Sequence, residues 1–186
     1  MSDNTSSNQD ERTGEAFEFD EKLTVIGRQL SPGDTAPDFV LDHFDPETNA
    51  VRPVRLADTH GVVRILNVVN SLDTPVCHTE TRRFEQARRD ELPHNVVMYT
   101  ISMDLPFAQA RWCGAEQVGH QALSAHRSEQ FGKDYGVLLK EWRLLQRAVF
   151  VIDRGGRLVH VEYVGDQMAE PHYHAAFTAA RFAATL

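Results

Sequence analysis

The stretch Val62-Val63-Arg64-Ile65-Leu66-Asn67-Val68-Val69-Asn70-Ser71-Leu72-Asp73-Thr74-Pro75-Val76-Cys77 decides the fold. Its first half is short, β-branched and mostly apolar, the pattern of a central strand covered on both faces. Thr74 then has the makings of a helix N-cap, its hydroxyl placed to accept the N–H of Cys77. Pro75 fills the first helical position, where its missing donor costs nothing. The helix is expected from Pro75 to about Glu91. Val76, Phe84 and Ala87 should face inward, Glu80, Arg82, Arg83, Arg88, Arg89 and Asp90 should cover the wet side, and Pro93 should stop it. A second buried strand, Val96 to Ile101, completes a strand-helix-strand unit with two parallel strands and a right-handed crossover.

Working outward, alternating Phe17 and Phe19, a polar Asp20-Glu21-Lys22 and alternating Leu23 and Val25 read as a β-hairpin at an edge. Phe39 to Leu41 and Val51 to Leu56 give two short strands, and Pro53 keeps the second off a sheet interior. Pro106 starts a short helical segment ending at Cys113 and Gly114, with Gly114 suited to the left-handed terminal position. Ser128 caps a short helix through Phe131. Ala148 to Ile152 and Leu158 to Val164 form a second hairpin about Asp153-Arg154-Gly155-Gly156. A last helix starts near Pro171 and presents Tyr173, Phe177, Ala180 and Ala184 on one face. A strand-helix-strand half followed by a hairpin and a helix is an α/β, thioredoxin-type arrangement. Here it is extended by N-terminal strands and an insertion carrying Cys113.

With 186 residues, 41% hydrophobic and 25% charged, the chain fits one globular domain. The first sixteen residues are polar and acidic, so residues 1–16 are expected as a disordered tail and residues 17–186 as the domain. That start matches neither a secretory signal nor a membrane anchor. A formal net charge of −8 provides no field for phosphate backbones or acidic lipid surfaces. Nucleic acid and membrane are excluded as partners, and a cytoplasmic protein is expected, where a disulfide is more often catalytic than structural.

The chain has two cysteines. A cysteine is ordinarily a small buried hydrophobe, but Cys77 lies at the carboxyl edge of a parallel strand and in the first turn of a helix. Exposed N–H groups and the helix dipole there favour the thiolate. Thr74 adds a hydroxyl nearby, and Arg147, just before the Ala148 strand, is a cation that could enter from a neighbouring strand. Cys113 is the only intramolecular partner. After Ser102 the chain returns near Cys77, and the segment carrying Cys113 then leaves by roughly 10 Å if helical. A disulfide needs Cα atoms about 4.4 to 6.8 Å apart, so the helix should have to unwind before the sulfurs can join. His172 and His174 lack the three or four convergent ligands of a zinc site. His78 diverges from Cys77 by about 100 degrees on the helix, which disfavours a Cys-His hydrolase.

Ser71 to Cys77, the stretch Ile101-Ser102-Met103-Asp104-Leu105-Pro106-Phe107-Ala108-Gln109-Ala110-Arg111-Trp112-Cys113-Gly114-Ala115-Glu116, and Phe131 to Val137 together resemble the bacterial thiol peroxidases, which are atypical two-cysteine peroxiredoxins. Gly33 to Phe39 and Arg147 to Asp153 add support, and the resemblance runs in register from about Phe17 to the C-terminus. It implies a peroxiredoxin-type thioredoxin-like fold with Cys77 as peroxidatic cysteine, Thr74 and Arg147 completing its site, and Cys113 as resolving cysteine. It also implies a hydroperoxide substrate, an intramolecular disulfide reduced by thioredoxin, a homodimer, and no metal, haem or flavin. Two features depart from the family: the acidic tail, and Asn70, which stands where a proline is usual and is expected to loosen the loop entering the site. The rival readings are a thiol-disulfide oxidoreductase, which would normally carry Cys-x-x-Cys where this chain has Thr74, and a redox-sensing interaction protein.

Overall fold

A computed structural model describes residues 10–186. The strand read first is β5, Val63–Val68, and all of it is buried. It is followed by α1, Pro75–Asp90, and by β6, Val96–Ser102, which pairs with β5 in parallel register. Around this unit lie β3 (Val40–Asp45), β4 (Ala50–Arg55), β7 (Gln121–Ser124), β10 (Ala148–Ile152) and β11 (Leu158–Tyr163). They form a seven-stranded sheet in the order β11-β10-β5-β6-β7-β3-β4. β4, with Pro53, is an edge strand, as a missing backbone donor requires.

Alternation along the strands builds two cores. Val63 and Ile65 of β5 with Val149 and Val151 of β10 face α1 and α4 (Tyr173–Thr185), meeting Phe84, Ala87, Phe177 and Ala180. Leu66, Val68, Ala148, Phe150 and Ile152 face the other way, toward Phe39, Phe131 and Tyr135. A short helix, α3 (Gln130–Asp134), carries Phe131, and the Ser128 hydroxyl accepts the Gln130 N–H at 3.1 Å. The helix with Cys113 is α2, Pro106–Glu116. It ends later than expected: the left-handed residue is Gln117, at φ 55°, and not Gly114, so Cys113 lies inside the last turn.

The N-terminal hairpin is β1 (Glu11–Glu18) with β2 (Glu21–Ile26). It does not join the edge of the main sheet. It pairs instead with two strands too short to show periodicity, β8 (Leu138–Leu139) and β9 (Leu144–Leu145), in the separate order β1-β2-β8-β9. The tail expected over residues 1–16 is therefore cut short from Glu11 onward, while its first nine residues lie outside the described ones. Polar side chains did not prevent this strand because backbone pairing with β2 and an Arg12 bond to the Gly136 carbonyl at 2.7 Å hold it, and Ala16 is fully buried. Among the described residues no helix is long and apolar enough to cross a membrane.

Candidate active site

Cys77 sits in the first turn of α1 and is fully buried. The expected cap is absent: the Thr74 hydroxyl does not bond to the Cys77 N–H but donates to the Ser71 carbonyl at 2.9 Å. The helix starts without it because Pro75 follows and because the Thr74 carbonyl accepts the His78 N–H at 2.9 Å. Asp104 secures the preceding loop. Its carboxylate accepts Ser71 Oγ at 2.7 Å, the Leu72 N–H at 2.9 Å and Ser102 Oγ at 2.7 Å, which ties the approach to Cys77 to the end of β6.

Arg147, the residue before β10, is buried at 1% exposure and donates from Nη1 to Cys77 Sγ at 3.3 Å. A guanidinium held there supplies positive charge at the sulfur and a fork of further donors. Nη1 also meets Glu80, and Nη2 donates to the Gln167 carbonyl at 2.8 Å and to Asn70 Oδ1 at 3.4 Å. Glu80 corrects the helix-face reading, since it lies inside the protein and not on the wet side. Burial pushes its carboxyl up to about 8 against the pull of Arg147. Burial opposes the charge on Arg147, but the Glu80 carboxylate and the Cys77 sulfur outweigh it and raise its pKa. Arg147 therefore stays cationic, shared between the Glu80 carboxyl and the Cys77 sulfur.

Beside this cluster lies a cavity of about 310 Å³. Thr74 and Arg147 line it together with Pro75, Val76, Leu144 and Met168, and Glu18 adds a carboxylate, so its walls are mostly apolar with both charges represented. Trp142, in the turn between β8 and β9, also lines it, which gives the short second sheet a place in the site.

Cys113 is free, half-buried and distinct in setting. It lines a separate cavity of about 320 Å³ with Phe44, Pro106, Ala110 and Ala122, and Trp112 beside it packs in the same apolar cluster as Cys77. Burial, with the Glu85 carboxylate, pushes its thiol up to about 11. The structure thus brings Cys77, Arg147 and Thr74 to one site, while Cys113, unbonded, packs against the apolar cluster that holds Cys77 and opens on a different cavity. Glu80, Asn70 and Gln167 are the site members that pattern reading missed as such. Only the Cys77-to-Glu80 spacing, nearly one helical turn, was there to suggest that Glu80 shares its face.

Residues 32–161 match the AhpC/TSA family. The chain is 44% identical over 160 residues to the thiol peroxidase of Bacillus subtilis, covering 86% of this chain and 92% of that one. It is 46% identical over 162 residues to the thiol peroxidase of Streptococcus pneumoniae, covering 86% and 94%. Among solved structures, a peroxiredoxin-like protein from Aquifex aeolicus superposes with a TM-score of 0.78 at 31% identity, covering 92% of this chain and 97% of that one. A thiol peroxidase from Chromobacterium violaceum, at 23% identity and a TM-score of 0.72, covers 86% and 91% and shares the fold. The chain therefore belongs to the AhpC/TSA family and, within it, to the bacterial thiol peroxidases.

Proposed function

We propose that Cys77 is the peroxidatic cysteine of a thioredoxin-dependent hydroperoxide reductase, with Cys113 as its resolving partner. The observation that carries this reading is the buried Cys77 sulfur with the Arg147 guanidinium 3.3 Å away. The thiolate attacks the terminal oxygen of a hydroperoxide, an S–O bond forms, the O–O bond breaks, and the alcohol or water leaves with a proton. Arg147 serves both partners, as a charge for the thiolate and as a donor to the oxygen on which charge develops. Thr74 lines the cavity at the entering oxygen, its own proton committed to Ser71 and its lone pairs open to the peroxide O–H. Hydrogen peroxide and organic hydroperoxides both fit a cavity with apolar walls.

Cys113 then attacks the oxidised sulfur, giving the Cys77 to Cys113 disulfide that thioredoxin reduces. Both cysteines are free and Cys113 lies in the last turn of an intact α2, and opening of that turn is the movement by which Cys113 would reach the oxidised sulfur. A cytoplasmic homodimer is the assembly and setting in which this cycle is expected to run. Peroxide consumption by the purified protein with thioredoxin, its reductase and NADPH tests the cycle. Turnover supports it; reduction of protein disulfides without peroxide turnover returns the oxidoreductase reading, and slow stoichiometric oxidation without recycling returns the sensor.

A further inference from the structure

Asn70 does not loosen its loop. It is 5% exposed, and its side chain is fixed in one orientation. Nδ2 donates to the Leu145 carbonyl at 2.6 Å and to Gln167 Oε1 at 3.0 Å, which spends both amide hydrogens. Gln167, itself buried, is pinned through Nε2 by the Val164 and Gly165 carbonyls, and its Oε1 also takes the Arg147 backbone N–H at 2.9 Å. Asn70 Oδ1 therefore has only one direction left. It faces the site, 3.4 Å from Arg147 Nη2 and 3.9 Å from Cys77 Sγ, where it accepts the thiol hydrogen. The sulfur thus meets one cationic donor and one neutral acceptor that cannot turn away.

We propose that Asn70 Oδ1 holds the proton of the Cys77 sulfenic acid and thereby steers that intermediate toward the disulfide and away from a second oxidation. The inference rests on Cys77 being the sulfur that peroxide oxidises. An O–H···O bond is about 2.7 Å long, and an S–O bond, shorter than the roughly 2.0 Å of S–S, completes a bent bridge across the 3.9 Å between Sγ and Oδ1. The two fates of the intermediate need different protonation states. Attack by the Cys113 thiolate forms S–S, breaks S–O and expels hydroxide, which takes a proton from solvent and leaves as water. That step requires the oxygen to carry its hydrogen already. Overoxidation instead starts from the deprotonated sulfenate, which attacks a second hydroperoxide, forms another S–O bond, breaks O–O and releases a second alcohol to give sulfinate. An acceptor fixed on the S–O–H favours the first path.

The test uses the full chain carrying Cys113→Ser, so that no second thiol intervenes, titrated with hydrogen peroxide while protein mass reports one or two oxygens on Cys77. Adding Asn70→Ala is expected to raise the rate of the second addition relative to the first about tenfold, the worth of one hydrogen bond. Asn70→Asp keeps an acceptor oxygen that Arg147 can pair with. It should keep the second addition slow while slowing the first, because a carboxylate then faces the thiolate. If Asn70→Ala does not fold, Asn70→Pro, the residue usual in the family, replaces it with the same expectation. An unchanged ratio in Asn70→Ala, or a second addition in Asn70→Asp that is itself as fast as in Asn70→Ala, overturns the proposal and leaves Asn70 as packing alone. Absence of any oxygen on Cys77 when Asn70 is intact instead overturns the peroxidatic assignment.

Discussion

Cys77 is fully buried, yet a guanidinium backed by a carboxyl, and an amide, meet its sulfur, whereas Cys113 is more exposed and meets mostly apolar neighbours. The contrast runs against the usual link between burial and inertness. Around Cys77 the interior is charged: Arg147 stays cationic between the sulfur and Glu80, whose carboxyl burial pushes up against the pull of that cation. Around Cys113 the thiol, pushed up to about 11, keeps its proton. Its helix turn is latched to α1, where Glu116 faces His78 at 3.5 Å and Arg82 at 3.8 Å, and Arg89 donates to the Gln117 carbonyl. In the proposed cycle the first sulfur is the one surrounded for attack, and the second attacks once its turn opens.

The hardest way to break this comparison is to exchange the roles. Cys77→Ser is expected to abolish peroxide turnover, while Cys113→Ser should consume about one equivalent of peroxide in a fast phase without catalytic turnover, followed only by the slow second addition, as read by stopped-flow peroxide consumption with and without thioredoxin. Full turnover by Cys113→Ser would remove it from the cycle. Next in size is Arg147→Ala, which should lower the second-order rate of Cys77 oxidation by about 100- to 1,000-fold, the usual effect of removing one preorganised donor. Arg147→Ala also strips the buried Glu80 of its cationic partner, so pairing this change with Glu80→Gln should restore thermal stability without restoring the rate. Recovery of both would mean that Arg147 acts only through packing.

Much of this contrast was legible in the chain, unevenly and for physical reasons. β5, α1 and β6 declared themselves because an apolar run and a 3.6-residue period are local properties, and Cys77 followed from its place at their junction. Arg147 was placed by family resemblance, since a cation before a strand has no signature until the sheet order sets β10 beside β5. Glu80 was misread because polarity stood in for exposure. The face of α1 on which it lies turns toward a cation supplied from far along the chain. Asn70 was read through the proline it replaces, when its role depends on carbonyls from residues 145 and 164–165 gathered around it and Gln167. Strands as short as β8 and β9 carry no period to detect, so the second sheet and the place of Trp142 in the cavity wall could not be foreseen.

A smaller effect separates the two regions by acid. Burial opposes charge on Glu85, but bonds from Arg88, His120 and Arg89 hold its carboxyl well below its ordinary value of 4.5. Burial likewise lowers His120 from 6.5, and Thr100 and Asn67 continue the chain of bonds from α1 into the sheet beneath the segment after Cys113. Both groups bind fewer protons folded than unfolded, so their stabilisation is present above 6.5 for His120 and above 4.5 for Glu85, and is lost as pH falls below those values. Thermal melting across this range should show a steeper acid loss in the wild type than in Glu85→Gln. Equal slopes would mean that the cluster contributes nothing to acid sensitivity.

The finest probe is the Cys113 thiol itself, observed in Cys77→Ser so that only one sulfur reacts. Its folded pKa lies above the ordinary value of 9, so alkylation by iodoacetamide should be slow at neutral pH and rise toward a midpoint near 11. Burial is the larger cause of that elevation, and burial lasts only while the last turn of α2 stays closed. Glu116→Gln removes the carboxylate that His78 and Arg82 hold, contacts that are partly exposed and together worth about 0.2 to 1 kcal/mol. The open population should therefore grow by no more than about fivefold, and alkylation at neutral pH should accelerate by the same factor. The closed-state midpoint should stay where it is, because the substitution changes how often the turn opens and not what surrounds the sulfur when it is shut. A faster rate with a lowered midpoint would show that Glu116 acts on the thiol through its charge. An unchanged rate would show that the turn opens without breaking the Glu116 contacts, and the latch would then have to be sought in Arg89 and the Gln117 carbonyl.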